Sequence, residues 1–491
     1  MESQMTRPVK AAIVFLVLFV ILSKFFSYRI LNVPLGLTAD EGAFAYNAVL
    51  LSKTLHDENN RFLPIFVLSL NGADWRQPVT QYYLTAFFRL FGSSVFNLRY
   101  SSVVITLVSA GLLYYLSFKA GGHKLALFSS FIFLTTPLIM IQSHLGLDNI
   151  MPVPFTIIWM LCVYLFTKTK QSRYLLLSGI FLGINFYTYK GMRATVPVWA
   201  ILTAGYIFYD YLSQKNAANL KKVATRLIVF VLGILPFFAV IPLLEYKYAG
   251  AVFNNQGANT ESVYSFVLPY LSSFDPSFLF IEGDATPWHS TGKHGMFLLA
   301  TLPLALLGIA TAIKKDRFWL FVVLAFFSAP LLYGFVNSVH RASRLMCLIP
   351  PYSLLAALGA IRLLQFKKFL VIVFIFLASL NYYDFVNYYW YQYPELSRVW
   401  FGDLSGFRDY QVFGVKSKQL GLDPYVDKQV ASNEGVSGRY FEAAYVSVGT
   451  YHIDSRDLLP KEGILLSDRE NIPGLTKLDV STDKYYIHVR Q

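Results

Sequence analysis

Residues 7 to 26 read RPVKAAIVFLVLFVILSKFF, a basic flank followed by an apolar run from Ala11 to Phe26. Two readings compete for it. A secretory leader has the same basic flank, but its apolar part usually spans only about 7 to 15 residues and ends at a small-residue cleavage site. Here the run is longer, and the Leu35-Gly36-Leu37-Thr38-Ala39 beyond it is a poor site at a poor distance. A membrane helix needs about 20 predominantly apolar residues, because in hydrocarbon each backbone amide must be paired inside its own segment. The stretch is therefore read as a first membrane helix.

Composition carries that reading outward. Of the 491 residues, 55% are hydrophobic and only 14% charged, too few charges to solvate a soluble multidomain surface. Aromatics make up 17%, which suits interfacial belts where a ring is half buried and its polar tip stays wet. The net charge of +13 raises nucleic acid as a partner, but the cations lie in short clusters between apolar runs rather than on one domain, so no nucleic-acid role is expected. Cys162 and Cys347 both sit in apolar runs, which gives no disulfide framework and no cysteine metal site.

The same rule yields about eleven helices, near 9–27, 98–118, 124–141, 150–167, 174–187, 194–212, 226–245, 296–313, 318–336, 345–363 and 368–388. Alternate connections carry the cations: Arg7 and Lys10; Lys119 and Lys124; Lys168, Lys170 and Arg173; Lys215, Lys221, Lys222 and Arg226; Lys314, Lys315 and Arg317; Arg362, Lys367 and Lys368. These loops are short, which places them and the N-terminus in the cytoplasm and the C-terminus outside. The opposite connections are 28–97, 142–149, 188–193, 246–295, 337–344 and the tail from 389, and function is expected on them. The fold class is an α-helical polytopic membrane protein, with a membrane domain over 1–398 and a small extracytoplasmic α/β domain over 399–491. In that tail, turn signals such as Asn471-Ile472-Pro473-Gly474 alternate with strand-like runs at Gly463 to Leu466 and Tyr485 to Val489.

The first outside connection opens on Thr38-Ala39-Asp40-Glu41-Gly42, followed by an apolar pattern at Phe44, Ala45, Ala48, Val49 and Leu51 that fits an interfacial helix. Thr38 and Glu41 have capping-box spacing, and acids favour the positive end of a helix dipole. Against that structural account stands a functional one, in which Asp40 is a general base aimed at an acceptor hydroxyl. Further along come Asp74-Trp75-Arg76-Gln77-Pro78 and Asn97-Leu98-Arg99-Tyr100. Arg76 and Arg99 suit a phosphate leaving group, since guanidinium pairs with phosphate oxygens bidentately. A single helix-end arginine also snorkels to the interface, and that alternative stays open for Arg99.

Taken in order, Asp40-Glu41 after the first helix, the Asp74 to Pro78 stretch and Arg99 resemble glycosyltransferase family 39, the bacterial relatives of the protein O-mannosyltransferases and the lipid A aminoarabinose transferase. The likeness continues through His144 to Pro154, Tyr187 to Pro197, Phe274 to Gly295, His340 to Pro351 and Tyr388 to Gly402. It implies a GT-C-type transmembrane bundle in a bacterial or archaeal plasma membrane. It also implies a polyprenyl-phosphate-linked sugar as donor, an acceptor hydroxyl on a protein, lipid or glycan, and Asp40 as base in an inverting displacement. Many relatives have Lys-Pro-Pro where this chain has Arg76-Gln77-Pro78, which keeps the charge without the lysine's point geometry.

The family pattern also turns Asp148 from a plain helix cap into a second active-site carboxylate, with Glu41 orienting acceptor or base. Lys190 and Arg193, and His340, Arg341 and Arg344, form basic clusters outside, suited either to interfacial anchoring or to the donor phosphate. Asp284, His289 and His294 share one loop and raise a divalent metal as cofactor, although their spacing matches no closed zinc pattern. A transporter or flippase of lipid-linked sugars is the rival reading. Such proteins usually show two related halves with interrupted helices, and no internal repeat is found. A sensory or scaffold protein working through the tail is the third.

Overall fold

The computed structural model describes residues 7–212, 220–253, 262–336, 339–454 and 459–490, and side chains from residue 16 onward. The side chains of Arg7 and Lys10, all of Lys215, and parts of the 246–295 and 337–344 connections thus lie outside the described residues. Two compact units result: residues 1–28, 102–144 and 148–391 form one, and residues 29–101, 145–147 and 392–491 the other.

In the first unit, each stretch expected to span the membrane is mostly helical. Among the described residues, six helical runs are long and apolar enough to cross a membrane by length and composition. Boundaries move where the backbone demands it. The expected 98–118 span and the first half of the 124–141 one run as a single helical stretch, Val95–Leu134, turning at Gly121 and at Gly122, whose φ of +78° suits a residue without a Cβ; the rest of the latter lies in a separate helix, Pro137–Ser143. The expected 318–336 span divides into Arg317–Ser328 and Leu331–Val336 on either side of Pro330, whose ring supplies no amide donor.

Small residues draw these helices together, as expected where helix association rests on van der Waals contact more than on hydrophobic transfer. A Cβ on Gly179 would lie 2.4 Å from the Phe230 carbonyl oxygen, and one on Gly233 2.2 Å from that of Leu176. Arg173–Phe186 and Leu220–Ala239 therefore pack backbone to backbone. At the basic ends, buried Asp210 meets Lys170 Nζ at 2.5 Å, Arg317 Nη1 at 3.1 Å and Arg226 Nη1 at 3.6 Å. Three of the basic-loop cations are thus gathered on one carboxylate.

In the second unit, a short hairpin of β1 (Val67–Ser69) and β2 (Asp74–Arg76) precedes the helix Pro78–Phe91, with Pro78 in its first turn. The tail forms a five-stranded sheet from β3 (Asp423–Asp427), β4 (Tyr451–Ile453), β5 (Gly463–Ser467), β6 (Leu475–Lys477) and β7 (Tyr486–Arg490), in the order β4-β3-β5-β7-β6. β5 is buried along its whole length, and Leu465 packs with Leu459 and Ile472.

One expectation is corrected here. The apolar face of the helix Ala39–Thr54 does not lie on lipid. Phe44, Ala45, Ala48, Val49 and Leu51 are buried in protein. The helix Lys428–Phe441 of the tail packs against it so closely that a Cβ on Gly42 would sit 3.0 Å from Ser437 Oγ. Lys53 Nζ adds a 2.6 Å hydrogen bond to the Ala443 carbonyl. The tail and the connection that follows the first helix fold as one unit because each covers the other's apolar face.

Candidate active site

The helix Ala39–Thr54 starts on a complete capping box: the Glu41 amide donates to Thr38 Oγ1 at 3.1 Å, and the Thr38 amide donates to Glu41 Oε2 at 3.1 Å. Successive residues at a helix start point about 100° apart, and the two acids part company. Glu41 is fully buried. Its Oε1 accepts the Gly146 amide at 2.9 Å and Arg99 Nε at 3.4 Å. Asp40 turns outward with a side chain 55% exposed, one oxygen held by Arg76 Nη1 at 2.8 Å.

Arg76 is itself held. It ends β2, its Nε donates to Ser69 Oγ of β1 at 2.6 Å, Asp74 lies 3.6 Å from Nη2, and the guanidinium covers the Phe44 ring at 4.9 Å. The hairpin register that sets Ser69 opposite Asp74 thus fixes the arginine that fixes Asp40. With its side chain 4% exposed, Arg76 acts on the carboxylate beside it rather than offering an open phosphate site.

Arg99, expected on the donor phosphate or at the interface, has another task. Its exposure is zero. Nη1 donates to the carbonyls of Ile30 and Pro34, each at 2.8 Å, and Nη2 to that of Gly36, while Nε faces Glu41. A loop entering a buried site leaves carbonyls that need donors, and the five-donor fork of an arginine supplies them.

The other expected residues lie in the first unit. Asp148 opens the turn Asp148–Ile150 ahead of the helix Pro152–Thr169 and is half-buried. The Tyr189 hydroxyl hydrogen-bonds Arg344, with Asp148 and Asp284 near enough to act on its charge; burial pushes the phenol above its ordinary range. Asp284 ties down the segment after it and the one before Arg344: Oδ1 accepts the Thr286 amide at 2.8 Å, and Oδ2 accepts the Ala342 amide at 2.5 Å. Arg341 Nη1 donates to Thr286 Oγ1 at 3.3 Å, and His340 stacks on Phe278 with centroids 4.9 Å apart.

Lys190 is half-buried in the same turn as Tyr189. Arg193 Nη1 donates to the Val252 carbonyl at 2.6 Å, next to Glu245, whose carboxylate accepts the amides of Gly250, Val252 and Phe253. The structure thus brings Tyr189, Arg344, Asp148 and Asp284 together, and gives Arg193 a loop-fastening role. Tyr189 escaped the sequence analysis as a site residue, its only signal being a tyrosine inside the basic turn.

The metal candidates do not form a donor set. His289 Nδ1 pairs with Gln142 Nε2 at 2.9 Å, His294 bonds Thr291 Oγ1 at 2.9 Å and Asp384 Oδ2 at 3.1 Å, and Asp284 is engaged as described. Among the described residues, no group of three or more His, Cys, Asp or Glu could hold a metal ion.

The chain resembles known proteins in sequence and in structure. The model of the family described as dolichyl-phosphate-mannose-protein mannosyltransferase matches residues 76–244. The structure is similar to that of ArnT from Cupriavidus metallidurans bound to undecaprenyl phosphate, at 12% identity and a TM-score of 0.56, covering 96% of this chain and 97% of that one. The apo form of that protein matches equally, at 12% identity and TM-score 0.55 over 97% and 98% of the two chains. The Archaeoglobus fulgidus oligosaccharyltransferase tethered with an acceptor peptide is more distant, at 11% identity and TM-score 0.50, over 92% of this chain and 69% of that one. No curated protein is similar enough in sequence to match. The chain is an integral membrane protein of the GT-C fold, similar to glycosyltransferase family 39.

Proposed function

We propose that this protein is a glycosyltransferase that moves a sugar from a polyprenyl-phosphate donor to an acceptor hydroxyl on the extracytoplasmic side, with inversion and with Asp40 as general base. The observation that carries this reading is the division of labour at the start of the Ala39–Thr54 helix. Glu41 is buried and saturated, whereas Asp40 has one oxygen fixed by Arg76 and the rest of its carboxylate open. The undecaprenyl phosphate bound to a protein of like fold supports the donor class.

In this mechanism the free oxygen of Asp40 takes the acceptor hydroxyl's proton as that oxygen bonds to the anomeric carbon. The bond from that carbon to the phosphate breaks, and the phosphate leaves with the electron pair. Cations lower the cost of the charge developing there, and we assign that role to Arg341, Arg344 and Lys190, with Asp148 as the second carboxylate. Tyr189 positions Arg344. Acceptor identity, whether protein, lipid or glycan, follows from pocket shape.

The test uses purified full-length protein and a radiolabelled polyprenyl-phosphate sugar. Carrier release is expected from the parent, with Asp40→Asn binding donor as well but turning over slower by about 10²- to 10⁴-fold, the usual contribution of a positioned base. Undiminished release by a folded Asp40→Asn protein would overturn the assignment.

A further inference from the structure

A feature this chemistry leaves unused lies in the membrane unit, at the basic ends of two packed helices. Leu302–Lys315 and Ile349–Phe366 meet at Gly308 and Gly359, where a Cβ would come within 1.8 Å of the Leu355 carbonyl oxygen and 1.9 Å of the Leu304 one. Backbone contact of that kind cannot continue once side chains reappear. Roughly one to two turns further on, Thr311 and Lys314 on one helix and Arg362 and Gln365 on the other line a cavity of about 500 Å³.

Its lining has two parts. Leu307, Ala310, Leu358 and Ile361 make an apolar wall, and Lys314, Lys315 and Arg362 supply three cations with no carboxylate among the lining residues. The adjacent acid, Asp316, does not line the cavity; it caps the next helix, accepting the amides of Phe318 at 2.9 Å and Trp319 at 3.2 Å, and its charge offsets part of that of Lys315 alone. Among the described residues, Arg362 donates to a neutral partner, Gln365 Oε1 at 2.9 Å, and lies over the Phe366 ring at 4.3 Å. Lys315 lies over the Trp319 ring at 4.7 Å.

Three like charges around one cavity repel each other, and an anion placed among them relieves that repulsion while it gains charge-assisted hydrogen bonds. The apolar wall says what carries the anion. A free phosphate has nothing to set against leucine and isoleucine, whereas a phospholipid has an acyl chain, and the site lies at the ends of membrane helices, where head groups are found. We propose that this cavity binds an anionic phospholipid, with the phosphate on Lys314, Lys315 and Arg362 and an acyl chain along Leu307, Leu358 and Ile361. A zwitterionic lipid brings its own cation and leaves the cluster uncompensated.

The test is independent of transferase activity. Delipidated full-length protein would be titrated by native mass spectrometry with short-chain phosphatidylglycerol, short-chain phosphatidylcholine and inorganic phosphate in separate arms. Saturable binding is expected for phosphatidylglycerol, at least tenfold weaker binding for phosphatidylcholine, and none for inorganic phosphate at matched concentration. Removing cations should weaken phosphatidylglycerol about fivefold each, so roughly 25-fold for Lys314→Gln with Arg362→Gln. Lys221→Gln with Lys222→Gln, in another basic loop, should change nothing. If the double variant fails to fold, Lys314→Gln alone, at an exposed position, decides by the fivefold step. Equal binding of phosphatidylcholine, equal binding of inorganic phosphate, or undiminished phosphatidylglycerol binding by the variants would each overturn the proposal.

Discussion

Asp40 and Asp210 are both aspartates held by arginine, and they behave as opposites. Asp210, in the membrane unit, is fully buried and shared by Lys170, Arg226 and Arg317. Every face of that carboxylate is taken, so it fastens helix ends and has nothing left to react with. Asp40, in the other unit, has a single cation on one oxygen and a side chain 55% exposed. Glu41, its immediate neighbour, belongs with Asp210: buried, with donors on both oxygens. The contrast teaches that a carboxylate is marked for chemistry by the combination of one fixed oxygen and one open one, and that the mere presence of an acid beside an arginine says little.

The comparison breaks most readily at its extremes. Asp40→Asn should lower carrier release by about 10²- to 10⁴-fold, with the thermal unfolding midpoint in detergent unmoved; a fall in the midpoint would place Asp40 with the structural carboxylates. Glu41→Gln and Arg99→Ala should do the reverse. Each leaves a buried charge without its partner, a loss of about 3 to 5 kcal/mol, to be read as a lower unfolding midpoint, while donor affinity of the protein that does fold stays at the parent value. Weakened donor binding by folded Arg99→Ala would restore the phosphate role expected from the sequence.

Arg76→Lys sharpens the same contrast at smaller scale. A lysine reaches Asp40 but cannot donate to Asp40 and Ser69 together, so the carboxylate keeps its charge partner and loses its orientation. A drop in kcat of about tenfold with KM nearly constant is expected, as for a group acting only in the transition state.

The smallest effect concerns pH and the tail. The hydrogen bond that His452 Nε2 donates to Glu442 Oε2 at 2.9 Å raises His452 above its ordinary imidazole range, against the opposing effect of burial. The charged imidazole is therefore favoured in the folded state, and its stabilisation is full below the unfolded value of about 6.5 and is lost as pH rises through the higher folded one. Because the His452 side chain is 39% exposed, solvent screening keeps the contribution under about 1 kcal/mol. Unfolding midpoints from pH 6 to 8 should show this slope in the parent and not in His452→Asn.

Much of the molecule was legible in the chain itself. Apolar runs of membrane length announce their own helices, since hydrocarbon leaves a backbone no other way to pair its amides. The strand runs at Gly463 and Tyr485 could be read from local alternation and turn residues, and they are β5 and the start of β7. The capping box at Thr38 and Glu41 was equally local, a matter of spacing along one chain.

What the sequence could not settle was the use to which each charge is put, because that depends on partners far away in the chain. Asp40 and Glu41 are adjacent carboxylates whose burial the sequence does not tell apart. Only the packing of the Ala39–Thr54 helix turns one toward Arg76, 36 residues on, and the other toward Arg99 and the Gly146 amide, 58 and 105 residues on. Arg99 reads as a phosphate ligand or an anchor until the carbonyls of Ile30, Pro34 and Gly36 are seen to close around it. The interfacial reading of the Phe44 to Leu51 face fails for the same reason: periodicity shows that a face is apolar, and only tertiary structure decides whether lipid or the tail's own helix covers it.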